Sequence, residues 1–337
     1  MLSESELIKI KKNVKDSIEN MDRLTLDFNT LALTDYVSLY THVLRIFLCS
    51  HVHQTLDIST LELLDFLIDV SKQYKIETYY HTFHHAVDVM TMLYYLIYQL
   101  DAYPYLSKLD IASLMIAALC HDIGHPGFTN AFQVKNQTEL AMKYGTKSTL
   151  ESYSVDLTLA LLRKHQFRHN QLEDMIGDLI LSTDMENHLA LEHQAYHLAS
   201  CIHTPLPKTY WTRRTLSHLL LHAADISNMA RPWKISKLWS DRITQEFLIQ
   251  GDQEKKQKMP VSPGMDRDTV SQAANSIRFG QFILPFFQAL VSILPKSRSL
   301  MDSITENCIR WEKEVLEDAY STFELNATTP SSCSSVP

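Results

Sequence analysis

The chain has 337 residues, 45% hydrophobic and 21% charged, with only 7 Gly and 11 Pro, which excludes a disordered or collagen-like polymer and allows a large core. A net charge of −8 and a pI near 6.0 speak against a nucleic-acid partner or a polybasic membrane surface. Cys49, Cys120, Cys201, Cys308 and Cys333 are odd in number, widely spaced and free of a C-x-x-C pair, which fits a reducing compartment.

The first segment, "MLSESELIKIKKNVKDSIEN", lacks the apolar core of a signal peptide, so a cytoplasmic location is expected. From there, apolar residues recur at helical spacing along almost the whole chain. "LTDYVSLYTHVLRIFL" (33–48) and "STLELLDFLIDVSKQY" (59–74) are the first two predicted helices. "YYHTFHHAVDVM" follows, placing His81 and His85 four apart on one helical face, with Asp88 three further on and His84 turned away. An isolated histidine of this kind is more often a hydrogen-bonded core residue than a ligand.

"IASLMIAALCHDIGHPG" (111–127) is harder to explain by packing. His121 and His125 stand four apart with Asp122 between them, and Pro126 ends the helix near His125. Burying two imidazoles and a carboxylate without partners costs kilocalories, and a metal satisfies all three. "LTLALLRKH" (157–165) and "LEDMIGDLILSTDM" (172–185) read as further helices, and "RRTLSHLLLHAADIS" (213–227) brings a third carboxylate, Asp225, to a helix end. Alone, Asp225 reads as a cap. With the other three it completes two His and two Asp, a donor set for a water-activating divalent ion of zinc or magnesium type.

"KLWSDRITQEFLIQG" (237–251) and "LPFFQALVSILP" (284–295) close the helical series. No period-two strand competes, so an all-α, compact multi-helix bundle of about a dozen or more helices is expected. No linker interrupts residues 20 to 320, which predicts a single helical domain over 1–325 and a disordered tail, "NATTPSSCSSVP", over 326–337. The longest apolar runs are too short or are broken by Asp88 or Pro285, so no membrane span is expected.

"YHTFHHAVDV", "HDIGHPG", "LSTDM", "AADISN", "FLIQGDQEK" and "SPGMDRD" stand in the order and approximate spacing of the class I 3′,5′-cyclic nucleotide phosphodiesterase catalytic domain, a member of the HD metal-hydrolase group. The chain resembles that family over residues 40 to 320. Within it, "HAVDVM" and "AADISNMAR" are most similar to the high-affinity cyclic AMP enzymes of fungi.

The resemblance implies that His85, His121, Asp122 and Asp225 bind a zinc-like ion, with Asp122 bridging to a second ion, magnesium or manganese. His125, Glu151 and Thr183 would hold the waters of that second ion. It further implies Glu246 as the carboxylate that orients a catalytic His81, and Tyr80, Asn228, Asn275 and Phe279 as substrate contacts. Two cations about 3.5 to 4 Å apart would neutralise an anionic cyclic phosphodiester and generate hydroxide near neutral pH. His81 would then protonate the departing O3′ as general acid, giving the nucleoside 5′-monophosphate.

The match departs from the family at the base. Relatives hold the purine with a glutamine three residues before a stacking phenylalanine. Counting forward from "MDRD" puts Ser276 at the glutamine position and Phe279 at the ring, whereas counting back from "LPFFQALVSILP" puts Asn275 there. Tyr153 and Thr82 also replace the usual histidine and asparagine.

The expected function is therefore two-metal hydrolysis of a cyclic nucleotide, cyclic AMP ahead of cyclic GMP, with oligomeric state undetermined. Two alternatives stay open: another HD-type metal phosphohydrolase, and a metal-retaining regulatory pseudo-enzyme that binds cyclic nucleotide.

Overall fold

The computed structural model describes residues 3–17, 24–202 and 209–328. The described residues form fifteen α-helices and short 3-10 turns, with no strand among them.

Polar caps punctuate the apolar runs. Helix α1 (Glu4–Ser17) lies against α2 (Tyr36–Cys49), which starts where Asp35 accepts a hydrogen bond from the Ser38 amide at 2.9 Å. After the short α3 (Val52–Leu56), α4 (Thr60–Ser71) begins in a capping box made by Ser59 and Glu62. The centre of the molecule is the pair α5 (Phe83–Tyr98) and α6 (Lys108–Cys120). Every residue of α6 from Asp110 to Cys120 is buried, as a helix that is apolar all round must be. It is wrapped by α3, α5, α10 (Leu172–Ser182) and α12 (Tyr210–Asp225).

Three short or peripheral helices, α7 (Asn130–Lys135), α8 (Glu139–Tyr144) and α9 (Thr149–Lys164), connect α6 to α10. The second half adds α11 (His188–Cys201), α13 (Trp233–Lys256), α14 (Gln272–Ile293) and α15 (Arg298–Thr328). One contiguous apolar cluster extends from Ile10 on α1 to Trp311 on α15. Helix α15 continues through Thr328, past the expected start of the tail, and residues 329–337 lie outside the described residues.

Three expectations are corrected. Pro285 does not break the apolar run around it: α14 passes through it, with Ile283, Phe286, Phe287 and Leu290 buried where it packs on α11 and α15. That burial outweighs the ~3 kcal/mol penalty of an interior proline. Among the described residues α14 is the one helix long and apolar enough, by length and composition, to cross a membrane. His81 is not on the α5 face, because Thr82 is the N-cap and the helix starts at Phe83. His125 is not on α6, which stops at Cys120, with His121 as its C-cap. Gly124 turns the chain just beyond that stop: its φ of +78° is left-handed, and a Cβ there would lie 2.6 Å from the Tyr153 ring.

Candidate active site

The ends of α5, α6 and α12 converge on one cluster. The Nε2 of His121 lies 3.0 Å from Asp122 Oδ2 and 3.3 Å from Asp225 Oδ1. His85 Nε2 lies 3.1 Å from Asp225 Oδ1 and 3.4 Å from Asp122 Oδ2. All four donor atoms fall within 4.8 Å of one another.

The ring of His121 shows what this cluster is fitted to hold. Its Nδ1 donates to the Ala118 carbonyl at 3.0 Å, which turns Nε2 into the cluster. That nitrogen is buried, faces the Asp122 and Asp225 carboxylates and has no hydrogen-bond partner among the described residues. A divalent ion among the four groups would take Nε2 as a ligand, and two imidazoles with two carboxylates are a donor set for a zinc-like ion. The carboxylates are prepared for it. Burial would raise Asp122 and Asp225, yet the neighbouring imidazoles outweigh it and hold both well below the usual carboxylate range.

A second constellation adjoins the first. Glu246, buried on α13, accepts at Oε2 from the backbone amides of Tyr80 (2.9 Å) and His81 (3.2 Å), and at Oε1 from His81 Nδ1. Burial pushes the His81 imidazole down, but the Glu246 and Asp122 carboxylates outweigh it and raise its pKa to about 9. Burial likewise acts to raise Glu246, and the His81 charge and hydrogen bond bring it instead to about 2. His125 stacks on His81, with ring centroids 3.7 Å apart. Burial and the His81 charge push His125 down to about 3, and its Nδ1 accepts from the Gly127 amide at 3.1 Å, so the ring is neutral.

Both constellations open into a cavity of about 470 Å³. Glu151 and Thr183 line it, as does Asp122. Burial and then the Asp184 charge raise Glu151 to about 7, while Asn130 donates to it at 2.9 Å. Thr183 donates its hydroxyl to the Ile180 carbonyl at 2.8 Å, so only its oxygen lone pairs remain for a ligand. Tyr80 and Asn228 are joined by a hydrogen bond from Asn228 Nδ2 to the phenol oxygen. Phe279 presents its ring to the same space from α14.

Not every expected residue is available there. Asn275 lines the cavity, but its Nδ2 donates to the Gly264 carbonyl at 2.8 Å and its Oδ1 accepts from Arg278, so the carboxamide expected to meet a base is engaged at both ends. Asp88, on the same helix as His85, instead pairs with Arg231 at 2.8 Å and accepts from Thr30 at 2.8 Å. His84 reaches the Leu33 carbonyl at 2.9 Å, away from the cluster.

Sequence reading missed Asn130, which bridges Glu151 and the Leu150 amide, and Trp239, whose buried Nε1 has no hydrogen-bond partner among the described residues. It also missed Gln250, whose amide clasps Thr129. The polar positions spaced along α13, Ser236, Ser240 and Gln250, were the available signal, because they interrupt an otherwise amphipathic helix on its inner side.

A sequence model of a family described as 3′5′-cyclic nucleotide phosphodiesterase matches residues 80–304. Over 257 residues the chain is 34% identical to the 3′,5′-cyclic-nucleotide phosphodiesterase regA of Dictyostelium discoideum, covering 73% of this chain and 32% of that one. Over 252 residues it is 34% identical to the high affinity cGMP-specific 3′,5′-cyclic phosphodiesterase 9A of Drosophila melanogaster, covering 71% and 16% respectively. It thus spans less than a third of either relative. Among solved structures, the phosphodiesterase domain of a rhodopsin phosphodiesterase from Salpingoeca rosetta superposes with a TM-score of 0.82 at 28% identity, over 94% of this chain and 97% of that one. These relatives belong to an amoeba, a fly and a choanoflagellate, and they do not support the expected likeness to fungal enzymes.

Proposed function

The chain belongs to the 3′5′-cyclic nucleotide phosphodiesterase family, and on that premise we propose that it hydrolyses a purine 3′,5′-cyclic nucleotide to the nucleoside 5′-monophosphate. The observation that carries this reading is the adjacency of a two-His, two-Asp cluster to a histidine held charged by a buried glutamate.

His85, His121, Asp122 and Asp225 would hold one divalent ion, zinc-like by its donors. Asp122, with His125, Glu151 and Thr183 around it, would share a second, of magnesium or manganese type. Bound there, such ions supply positive charge for the phosphodiester and a water of lowered pKa. The chain's own residues do the rest. Glu246 fixes the His81 ring through Nδ1, so Nε2 carries the proton that passes to the departing O3′. The Glu246 bonds to two consecutive backbone amides fix the loop that carries this ring. Tyr80 and Asn228 form the polar wall beside the cluster, and Phe279 supplies an apolar face for the base.

The expected bias toward cyclic AMP rested on the fungal likeness and on a base-reading amide, and Asn275 is engaged elsewhere. We therefore assign a purine cyclic nucleotide without that bias. The test is hydrolysis of cyclic AMP, cyclic GMP and bis(4-nitrophenyl) phosphate with and without added Mg²⁺, Mn²⁺ or Zn²⁺. Metal-dependent release of a 5′-monophosphate is expected. Cyclic nucleotide binding without turnover would make the chain a binding protein, and turnover of the simple diester alone would make it a different phosphohydrolase.

A further inference from the structure

Where α14 borders the cavity, one turn before Phe279, two serine hydroxyls from different helices meet. Ser240 of α13 and Ser276 of α14 have their Oγ atoms 2.8 Å apart. Each is only 8% exposed, and both line the cavity that holds His81 and Asp122. Behind them, Gln272 Nε2 donates to Ser240 Oγ at 3.0 Å and to Asp241 Oδ1 at 2.7 Å.

The Asp241 carboxylate sets the polarity of this chain. A carboxylate only accepts, so it fixes which end of the Gln272 amide is nitrogen, and Ser240 Oγ must therefore receive a hydrogen from Gln272. Two hydroxyls have two hydrogens and four lone pairs between them. One lone pair takes the Gln272 hydrogen, and one hydrogen and one lone pair form the bond between the serines. What remains, whichever serine donates to the other, is one O–H and two lone pairs. Neither hydroxyl has another hydrogen-bond partner among the described residues.

We propose that the Ser240–Ser276 hydroxyl pair, anchored by Gln272 and Asp241, contacts the six-position edge of the purine and accepts 6-amino and 6-oxo bases alike. This rests on the functional reading above and adds its base selectivity. A 6-oxo group needs a donor, which the remaining O–H supplies. A 6-amino group needs an acceptor, which the lone pairs supply after the hydroxyl rotates. A carboxamide has to turn over to make the same exchange, and the one nearby, on Asn275, is tied at both ends. With one neutral hydrogen bond on either base, worth about 0.5 to 1.5 kcal/mol, the two cyclic nucleotides cannot differ by much more than about 13-fold through this contact.

Two measurements test it. The first is the ratio of kcat/KM for cyclic AMP to cyclic GMP in the metal-loaded protein, expected within about 13-fold of unity. The second is Ser276→Ala, with Ser240→Ala as an independent route to the same loss. Bis(4-nitrophenyl) phosphate, which has no base, is the reference substrate. Relative to it, kcat/KM for both cyclic nucleotides should fall together by about 2- to 13-fold in each variant. Competitive binding of 5′-AMP and 5′-GMP should weaken in parallel. A wild-type ratio beyond about 13-fold in either direction overturns the proposal, as does a variant that loses only one of the two nucleotides or neither. If no ester is hydrolysed, the functional reading fails, and the 5′-AMP and 5′-GMP affinities still decide the hydroxyl pair on the same threshold.

Discussion

Glu246 holds His81 by its ring and by its backbone at once: one carboxylate oxygen takes the Nδ1 hydrogen, and the other takes the amide hydrogens of Tyr80 and His81 at 2.9 and 3.2 Å. The glutamate is thus both the counter-ion of the imidazolium and the anchor of the loop that carries it. His81→Ala should retain bound metal, since His81 stands outside the four-ligand cluster, and should lower kcat by about 10² to 10⁴, the range for a positioned proton donor. Metal analysis beside kcat checks it, and a variant stripped of metal would make His81 a ligand.

Glu246→Gln should move the pH profile in a defined direction. His81 is raised to about 9 by Glu246 and Asp122 against the effect of burial, so removing the Glu246 charge lowers it. The acid form then disappears at lower pH, and the basic limb of kcat against pH should shift down. The ion pair has a matching stability signature. His81 contributes stability that is complete below about 6.5 and is lost as pH rises through about 9; Glu246, lowered to about 2, contributes stability present above about 4.5 and lost as pH falls through about 2. Thermal melts across pH 6 to 10 should show the first loss in the wild type and a weaker one in the variant.

Asp122→Ala should lose most bound metal together with activity, because Asp122 faces both His85 and His121 and lines the same cavity as Glu151 and Thr183. Chelation of the wild type should lower Tm, since it leaves the Asp122 and Asp225 carboxylates facing buried imidazoles with no cation between them. Elemental analysis and calorimetry provide the two readings. Active protein free of divalent metal would exclude the cluster as a metal site.

The Asp88–Arg231 pair is almost wholly enclosed, with side-chain exposures of 2% and 1%. Deleting one partner leaves the other charge buried alone, so Asp88→Ala should cost about 3 to 5 kcal/mol in denaturant unfolding. A cost below ~1 kcal/mol would mean that water reaches the guanidinium.

Much of this was legible in the residues. Helical periodicity specified an all-α chain, and the polar His121 and Asp122 at the end of a buried apolar run marked the cluster. Local pattern could not specify where the helices stop. His81 and His125 both lie in turns beyond helix ends, set by Thr82 as a cap and by the left-handed Gly124 whose Cβ would strike Tyr153, a contact between distant segments. Pairings across the fold were equally invisible to periodicity. His81 and Glu246 are 165 positions apart, and their bond forms where the loop before α5 meets α13. The likeness to a known family supplied that pair. It gave no sign that the Asn275 amide is engaged by Gly264 and Arg278, because that depends on a loop conformation that no motif encodes.

The guanidinium of Arg231 also donates to the carbonyls of Leu26 (3.0 Å) and Phe28, while His84 holds the Leu33 carbonyl. These are main-chain acceptors, so the identity of the side chains at 26, 28 and 33 matters little there, but the presence of the strand of backbone does. A fragment trimmed to the family-matched segment, beginning at residue 80, would therefore leave a buried cation with half its acceptors gone. A piece that keeps all of these acceptors begins upstream of Leu26, more than fifty residues before the family-matched segment.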